Sequence, residues 1–592
     1  MTIPAKLWSL VTSAQRREAI VLLVLVLIGT ALETLGVGLV IPALALMTQD
    51  DFPTRYPVLG SWLSGFDNPR REQLVVAGML ALTSVAAVKA LILSLLAWRQ
   101  MRFVYEVEAE LSQRLFTGYL RQPYAFHLQR NSAQLLYTVK DEANSVTFVV
   151  MQAVTAVTDI LIFLGISLLL LAVEPEGTLI IVVVLGASIW GFHRLTRGHI
   201  LGWGGAQLSH ERLRLQHLQQ GFGAAKDVLL LGREDDFLNQ HRRHSADSAK
   251  LGARQAALQM LPRIWLELLA ISGLVMLALI IIRKGDPLET LLPTLGVFTA
   301  AAIRLMPLAT RVLGAIQSAR YRLPVVDTVY EELRLLGATP VQERGLRISF
   351  DNLLTLDRAS FRYPSVEAMA LIEVSLSIPQ GASIGIVGDS GSGKSTLVDI
   401  ILGLLTPISG TVRVDGLNIQ AHLRSWQDQI GYVPQAIFLT DDTLRRNVAF
   451  GLPNVQIDEA AVWRAIQAAQ LEEFVRSLPL GLDSLVGERG IRLSGGQRQR
   501  IGIARALYHN PSVLLMDEAT SALDADTERG VMNAVRALQG DKTIIIVAHR
   551  LTTIQHCTRL FRLAGGRLVK EGESEVPLGH HGELTKWGDA GQ

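Results

Sequence analysis

The fold of this 592-residue chain is decided by Gly388-Asp389-Ser390-Gly391-Ser392-Gly393-Lys394-Ser395. The stretch matches the P-loop pattern, in which glycine-rich backbone N–H groups surround a polyphosphate. Lys394 is expected to reach the terminal phosphates, and Ser395 to offer its hydroxyl to Mg²⁺. An apolar run over 383–387 predicts a strand before the loop. A helix is predicted over 394–404, with Thr396, another expected ligand-binding residue, in its first turn. An α/β nucleotide-binding domain follows from this pattern.

A second motif downstream supplies carboxylates. Val513-Leu-Leu-Met-Asp517 reads as a buried parallel strand that ends in an aspartate, and Glu518 follows directly. Asp517 is expected to hold Mg²⁺, mostly through water. Glu518 is expected to polarise the water that attacks the γ-phosphate of ATP.

The segment Leu493-Ser494-Gly495-Gly496-Gln497 stands between these motifs. In this order and spacing the set resembles the ATP-binding cassette (ABC) ATPases, and the resemblance covers 340–570 tightly. It implies that Tyr363 stacks on adenine and that Gln435 reaches Mg²⁺ or the attacking water. It also implies that His549 contacts the γ-phosphate and that Asp524 belongs to the D-loop 521–524. The segment Gly487–Gly490 resembles a loop found in exporters. A core tyrosine is the alternative for Tyr363.

The same resemblance implies a dimer. In ABC ATPases the signature segment, here Ser494, Gly495, Gly496 and Gln497, contacts the γ-phosphate held by the other subunit. This chain carries one P-loop and one signature segment, so one copy cannot complete a site. Because none of the catalytic elements is degenerate, a homodimer is expected.

The composition indicates a chain that is partly membrane-embedded. Hydrophobic residues make up 49% of the sequence, and the mean hydropathy is +0.30. The length predicts at least two domains. The net charge of +2 implies no strongly charged partner such as a nucleic acid. The single cysteine, Cys557, excludes an intrachain disulfide.

Six apolar segments are long enough to cross a bilayer, which takes about 20 residues. They lie near 19–47, 73–98, 146–173, 177–198, 261–283 and 289–313. The long polar connections 99–145 and 199–260 read as membrane helices that continue into water. The layout resembles ABC exporters, loosely over 15–335. It implies an all-α six-helix transmembrane domain (1–336) fused to a cytosolic α/β ABC ATPase domain (347–592).

The ATPase domain must face the cytosol, because its ATP is there, and this sets the orientation of the six crossings. The two long connections then face the cytoplasm, and their arginines agree with the positive-inside rule. We therefore expect a multi-pass protein of the inner (cytoplasmic) membrane. By resemblance, the interruptions Gln122–His127 and Lys226–Asp236 are coupling helices that dock on the ATPase; ordinary amphipathic turns are the alternative. The segment 56–66 predicts either an amphipathic helix on the outer interface or a short capping helix.

Basic side chains inside the crossings suggest an anionic substrate, because charges there are costly and usually functional. They are Lys89, Arg263, Arg304 and Arg311, with Glu33, Asp159 and Glu267 as partners to consider. The alternative for Arg263 and Arg311 is snorkelling to the inner interface.

The segments 33–42, 262–267 and 304–311 resemble those of PglK-type flippases, which turn over oligosaccharides linked to a polyprenyl diphosphate. This implies an anionic lipid-linked glycan as substrate. An exporter of lipid A-type lipids or of drugs is the alternative. A peptidase-containing exporter is not expected, since about 18 residues precede the first crossing. A regulatory, non-transporting role would tolerate degenerate catalytic residues, which are absent here.

Overall fold

The computed structural model describes residues 2–38, 71–173, 175–284, 288–337, 347–364, 366–520, 523–548 and 551–573. The chain forms two compact units. The first contains Met1–Gln122 and Arg130–Pro340, and the second contains Pro123–Gln129 and Val341–Gln592. The short segment Pro123–Gln129 therefore belongs with the C-terminal unit, although it lies between helices of the N-terminal one.

The described part of the first unit is helical. Its helices are α1 (Ile3–Leu10), α2 (Ser13–Gly38), α3 (Arg71–Leu120), α5 (Ser132–Tyr137), α6 (Ala143–Val173), α7 (Pro175–Gly223), α8 (Ala225–Leu231), α9 (Glu234–Lys284) and α10 (Leu288–Gly337); α4 (Tyr124–Gln129) falls in the second unit. Helix α3 has 50 residues and α9 has 51. At 1.5 Å per residue such a helix is about 75 Å long, more than twice the hydrocarbon thickness of a bilayer. The polar connections are thus continuations of membrane helices, as the sequence predicts.

Five described segments are long and apolar enough to cross a membrane: Ser13–Gly36, Gly78–Leu120, Ser132–Ala172, Thr178–Gly223 and Glu234–Met276. The sixth predicted crossing, 289–313, lies within α10. Leucines such as Leu91 and Leu168 are 74% and 67% exposed, which suits contact with lipid tails rather than water. The predicted interfacial segment 56–66 lies outside the described residues.

Two sheets form the second unit. Its strands are β1 (Leu353–Phe361), β2 (Leu371–Pro379), β3 (Ser383–Gly388), β4 (Ser409–Val414), β5 (Leu417–Asn418), β6 (Ile430–Val433), β7 (Val513–Asp517), β8 (Thr543–Val547), β9 (Arg559–Ala564) and β10 (Arg567–Glu573). One sheet has the order β2-β1-β4-β5 and is antiparallel, and the other has the order β10-β9-β3-β8-β7-β6. Strands β6, β7, β8, β3 and β9 run parallel, with β10 antiparallel at the edge.

Both faces of the parallel sheet are buried. Leu514 and Met516 of β7 join one hydrophobic core, whereas Val513 and Leu515 join the other. A strand covered on both faces reads as a continuous apolar run, which explains the sequence of β7. All of its side chains are buried, as predicted.

The helices of the second unit after α4 are α11 (Lys394–Ile401), α12 (Leu423–Gln427), α13 (Leu444–Val448), α14 (Glu459–Ala468), α15 (Glu472–Ser477), α16 (Gly495–Leu507), α17 (Ala525–Arg536) and α18 (Leu551–Ile554). Strands β3 and β7 both pair in parallel with β8. Their carboxyl ends therefore meet at one edge of the sheet, where ligands of open α/β sheets bind.

Candidate active site

The loop between β3 and α11 forms an open cradle. Gly391 has φ +80°, and a Cβ added there would meet nothing within 4 Å. Gly393 precedes α11 with φ +103°, and a Cβ added there would lie 2.6 Å from the Ala370 carbonyl oxygen. Ser392 Oγ is buried and has no hydrogen-bond partner among the described residues. Such a cradle at a helix N-terminus fits a polyphosphate.

Lys394 lies over this loop. Its Nζ donates hydrogen bonds to the carbonyl oxygens of Gly388 and Asp389, each at 2.8 Å. Burial lowers the pKa of the Lys394 ammonium, while the charges of Glu518, Asp389 and Asp517 oppose that shift. The ammonium is thus held by weak neutral acceptors, which a phosphate can replace with charge-assisted hydrogen bonds.

The predicted carboxylates stand at the end of β7. Asp517 is 8% exposed and closes the strand. Glu518 follows with φ +47°, in the left-handed region. Gln435, just after β6, donates a hydrogen bond from Nε2 to Glu518 Oε2 at 2.8 Å. The structure therefore brings together two of the three predicted catalytic side chains, although they are 83 residues apart in the sequence.

The donor set at this edge fits Mg²⁺. It consists of the Ser395 hydroxyl, the Asp517 carboxylate and the Gln435 amide, all predicted from the sequence. Within the described ranges, no group of three or more His, Cys, Asp or Glu side chains is placed to hold a metal ion. Mg²⁺ needs no such cage, because it binds through one or two carboxylates together with water and substrate phosphates.

Tyr363 lies beside the P-loop helix. Its hydroxyl and Thr396 Oγ1 are 3.1 Å apart, and Phe361 meets its ring edge-on with centroids 5.1 Å apart. The ring is half-buried against the core that includes β1 and β3. The phenol is thus tied to helix α11, and stacking on adenine stays a prediction.

A capping box shapes the signature segment. Ser494 Oγ accepts from the Gln497 backbone N–H at 3.2 Å, and Gln497 Oε1 accepts from the Ser494 N–H at 2.9 Å. Helix α16 therefore begins at Gly495, and its first N–H groups point out of an exposed helix end. Asp524 is exposed, while Ser521, Ala522 and His549 lie outside the described residues.

Helix α4 belongs to the ATPase unit. Ala125 packs against the hydrophobic core that the antiparallel sheet shares with one face of the parallel sheet. A cavity of about 340 Å³ lies between this helix and the ATPase, lined among others by Pro123, Phe361 and Leu405. Residues 123–127 therefore group with the ATPase unit, and the role of 122–127 as a coupling helix stays a prediction.

Two polar side chains near the site, buried Gln499 and partly buried Asp399, match no sequence motif. Gln499 on α16 donates from Nε2 to the backbone carbonyl oxygen of Glu518 at 3.4 Å. Asp399 lies on α11, where burial, followed by the charge of Asp517, raises its pKa to about 6. The only sequence signal is a polar residue at a position that helical periodicity assigns to the core.

The basic residues of the membrane half are mostly paired. Each of the three carboxylates considered as partners forms an ion pair with one of them. Glu33 Oε2 lies 2.9 Å from Lys89 Nζ, and Glu267 Oε1 lies 3.0 Å from Arg263 Nε. Asp159 Oδ1 lies 3.0 Å from Arg311 Nη2. Arg304 is exposed, and no ion pair among the described residues involves it. Of the four predicted substrate cations, three are therefore already neutralised by carboxylates.

Comparisons with known proteins identify the family of this chain. Residues 371–521 match the family model described as ABC transporter. The chain is 32% identical over 503 residues to the ATP-dependent lipid A-core flippase of Alkalilimnicola ehrlichii, covering 83% of this chain and 82% of that protein. It is 31% identical over 487 residues to the protein of the same name from Cupriavidus pinatubonensis, covering 80% of each. A bacterial Atm1-family ABC exporter with ATP bound superposes with a TM-score of 0.76 at 22% identity, covering 95% of this chain and 96% of that one.

The chain therefore belongs to the ABC transporter family, as an exporter that carries its membrane helices and its ATPase in one polypeptide. The predicted fold class is confirmed. It is a multi-pass inner-membrane protein whose ATPase domain lies in the cytoplasm and couples ATP hydrolysis to transport. ABC exporters of this family work as dimers in the lipid bilayer.

Proposed function

We propose that two copies of this chain form an ATP-driven flippase for a phosphorylated glycolipid of the lipid A type. The main support for this proposal is the similarity to relatives named ATP-dependent lipid A-core flippases. They match about four-fifths of the chain, so the match includes the membrane half. The short membrane segments 33–42, 262–267 and 304–311 favour a lipid-linked oligosaccharide as the substrate, with lipid A as the alternative. The relatives support the alternative better. Both lipids combine phosphate, sugar and apolar chains, so basic membrane residues do not distinguish them.

The proposed ATP site combines two copies. In one copy residues 388–396 hold the phosphates, and Tyr363 stacks on adenine. Ser395, Asp517 and Gln435 would hold Mg²⁺, which would neutralise phosphate charge. Glu518 then accepts a proton from the attacking water, while His549 contacts the γ-phosphate and Asp524 faces the partner copy. Ser494, Gly495, Gly496 and Gln497 of the other copy complete the site.

The position of Glu518 supports this assignment. Its carboxylate is already oriented by Gln435 at 2.8 Å, and both side chains lie at the strand edge that carries the P-loop. A base held in place contributes more to the rate than one that must be ordered during the reaction. We further propose 1–336 as the membrane domain, 347–592 as the ATPase domain, and 122–127 as the link that reports nucleotide state.

Arg304 is the first candidate for a substrate phosphate. A guanidinium that no described carboxylate neutralises can form bidentate, charge-assisted hydrogen bonds with a phosphate. Lys89, Arg263 and Arg311 are weaker candidates, because each would have to give up an existing carboxylate partner.

The substrate class can be tested by lipid-stimulated ATPase activity in nanodiscs. Purified protein would receive lipid A, a polyprenyl-diphosphate oligosaccharide or a cationic drug at matched concentrations, with Glu518→Gln protein as the background. Lipid A is expected to stimulate hydrolysis most, and Arg304→Ala to weaken that response. Stimulation by the oligosaccharide lipid or the drug, but not by lipid A, would overturn the proposed substrate.

A further inference from the structure

Helix α16 carries a polar side chain where its neighbours are apolar. Gln499 is 3% exposed, and Ile501, Ile503 and Ala504 on the same helix are also buried. Its Nε2 donates to the Glu518 carbonyl oxygen at 3.4 Å, and its buried Oε1 has no hydrogen-bond partner among the described residues. A buried carboxamide is costly unless it is hydrogen-bonded. Packing alone therefore does not explain a glutamine at this position.

The carbonyl that Gln499 contacts belongs to a strained residue. Glu518 has φ +47°, a left-handed conformation that is strained for a residue other than glycine. The Glu518 N–H donates to the Val547 carbonyl oxygen at 2.9 Å, which fixes one side of the residue. Gln499 acts on the other side, at the carbonyl. The backbone that aims the carboxylate is thus held from β8 and from α16.

The same helix is anchored to the segment that follows Gln435. Arg505 donates to the carbonyl oxygens of Phe438 and Asn447, both at 2.8 Å. A displacement of α16 would therefore act on two regions at once: the backbone of Glu518 through Gln499, and the segment after Gln435 through Arg505. Glu518 and Gln435 are the two side chains that meet at 2.8 Å.

We infer that Gln499 is a positioning residue that connects the signature helix to the backbone of Glu518 in the same chain. The signature end of α16 faces the ATP of the partner copy, whereas Glu518 serves the ATP of its own copy. Gln499 thereby connects the carboxylate of one ATP site to the helix whose first turn serves the other site of the dimer. This inference rests on the proposed composite site.

The first test compares two variants with a matched control. Gln499→Met keeps the length but removes the donor, and Gln499→Asn keeps the carboxamide but is too short to reach. Both are expected to lower kcat between about tenfold and 100-fold, the cost of a misplaced catalytic group, with KM for ATP and nucleotide affinity unchanged. The control is Gln429→Met, because Gln429 donates to the Ile348 carbonyl oxygen at 2.7 Å elsewhere in the same unit. It should lower the melting temperature while kcat is retained. Parental kcat in both Gln499 variants would overturn the inference.

The second test uses defined mixed dimers with one working site. One copy carries Lys394→Ala and lends only its signature segment; the other carries Ser494→Arg and lends its P-loop and Glu518. Adding Gln499→Met to the copy with the working Glu518 should slow hydrolysis at least tenfold. Adding it to the copy that lends the signature should have little effect. The reverse pattern would overturn the inference. No activity in the starting mixed dimer would instead contradict the composite site itself.

Discussion

Replacing Glu518 by glutamine isolates the proton-accepting role assigned to this side chain. Gln435 donates from Nε2 to Glu518 Oε2 at 2.8 Å, and an amide oxygen in the same place can accept that hydrogen bond. The contact changes from charge-assisted to neutral, so the free energy of unfolding should fall by only about 1 kcal/mol. Nucleotide binding should persist, because the P-loop is untouched.

The rate of ATP hydrolysis should be affected much more strongly than the stability. Removing a general base costs typically about 10²–10⁴-fold in rate, which corresponds to about 3–5 kcal/mol of activation free energy. The assay is steady-state ATP hydrolysis by purified protein, with nucleotide affinity measured on the same samples. Glu459→Gln is the matched control, since it removes a carboxylate 2.9 Å from Arg445 in the same unit and should leave the rate near that of the parent. Hydrolysis by Glu518→Gln protein within tenfold of the parent would refute the assignment.

Three further predictions follow from other parts of the chain. Mixed dimers of Lys394→Ala and Ser494→Arg chains should hydrolyse ATP at one site out of two, whereas either pure mutant dimer is inactive; an active monomer would contradict this. Gly393→Ala should abolish nucleotide binding, because φ is +103° and the added Cβ would lie 2.6 Å from the Ala370 carbonyl oxygen; retained binding in an equilibrium assay would refute the close approach. Since burial raises the pKa of Asp399 to about 6, above its unfolded value of about 4, its stabilising contribution is present at low pH and lost as pH rises through 6. Asp399→Asn should therefore raise the melting temperature at pH 7.5, with a difference that shrinks towards pH 4, and a gap independent of pH would contradict the account.

The sequence predicted the parts of the site that depend on local pattern. The strand Val513–Asp517 and the P-loop are runs of adjacent residues whose backbone chemistry is set by their own composition. The helix after the P-loop was predicted to 404 but ends at Ile401, because Gly403 adopts φ +69°. A glycine in the left-handed region ends a helix. The residues around Gly403 continue the helical periodicity, so the pattern alone predicts a helix that is too long.

Pairings across the fold could not be predicted to the same degree. Glu33 and Lys89 were both visible in the sequence, but only the packing of α2 and α3 shows that they form an ion pair. Gln499 carries no motif meaning of its own, and its contact with Glu518 arises because α16 packs beside the end of β7. Short membrane motifs could not predict the substrate class either, because basic residues suit any phosphorylated lipid.

ATP hydrolysis at the site around Lys394 and Glu518 is expected to move a phosphorylated glycolipid across the bilayer. The most direct measurement is translocation of labelled lipid A in proteoliposomes, followed by the accessibility of the label to a membrane-impermeant quencher. The parent protein should move the lipid only with ATP and Mg²⁺, and Glu518→Gln protein should bind nucleotide without moving it. Equal translocation by the parent and by Glu518→Gln protein, or no ATP-dependent movement by the parent, would contradict the account.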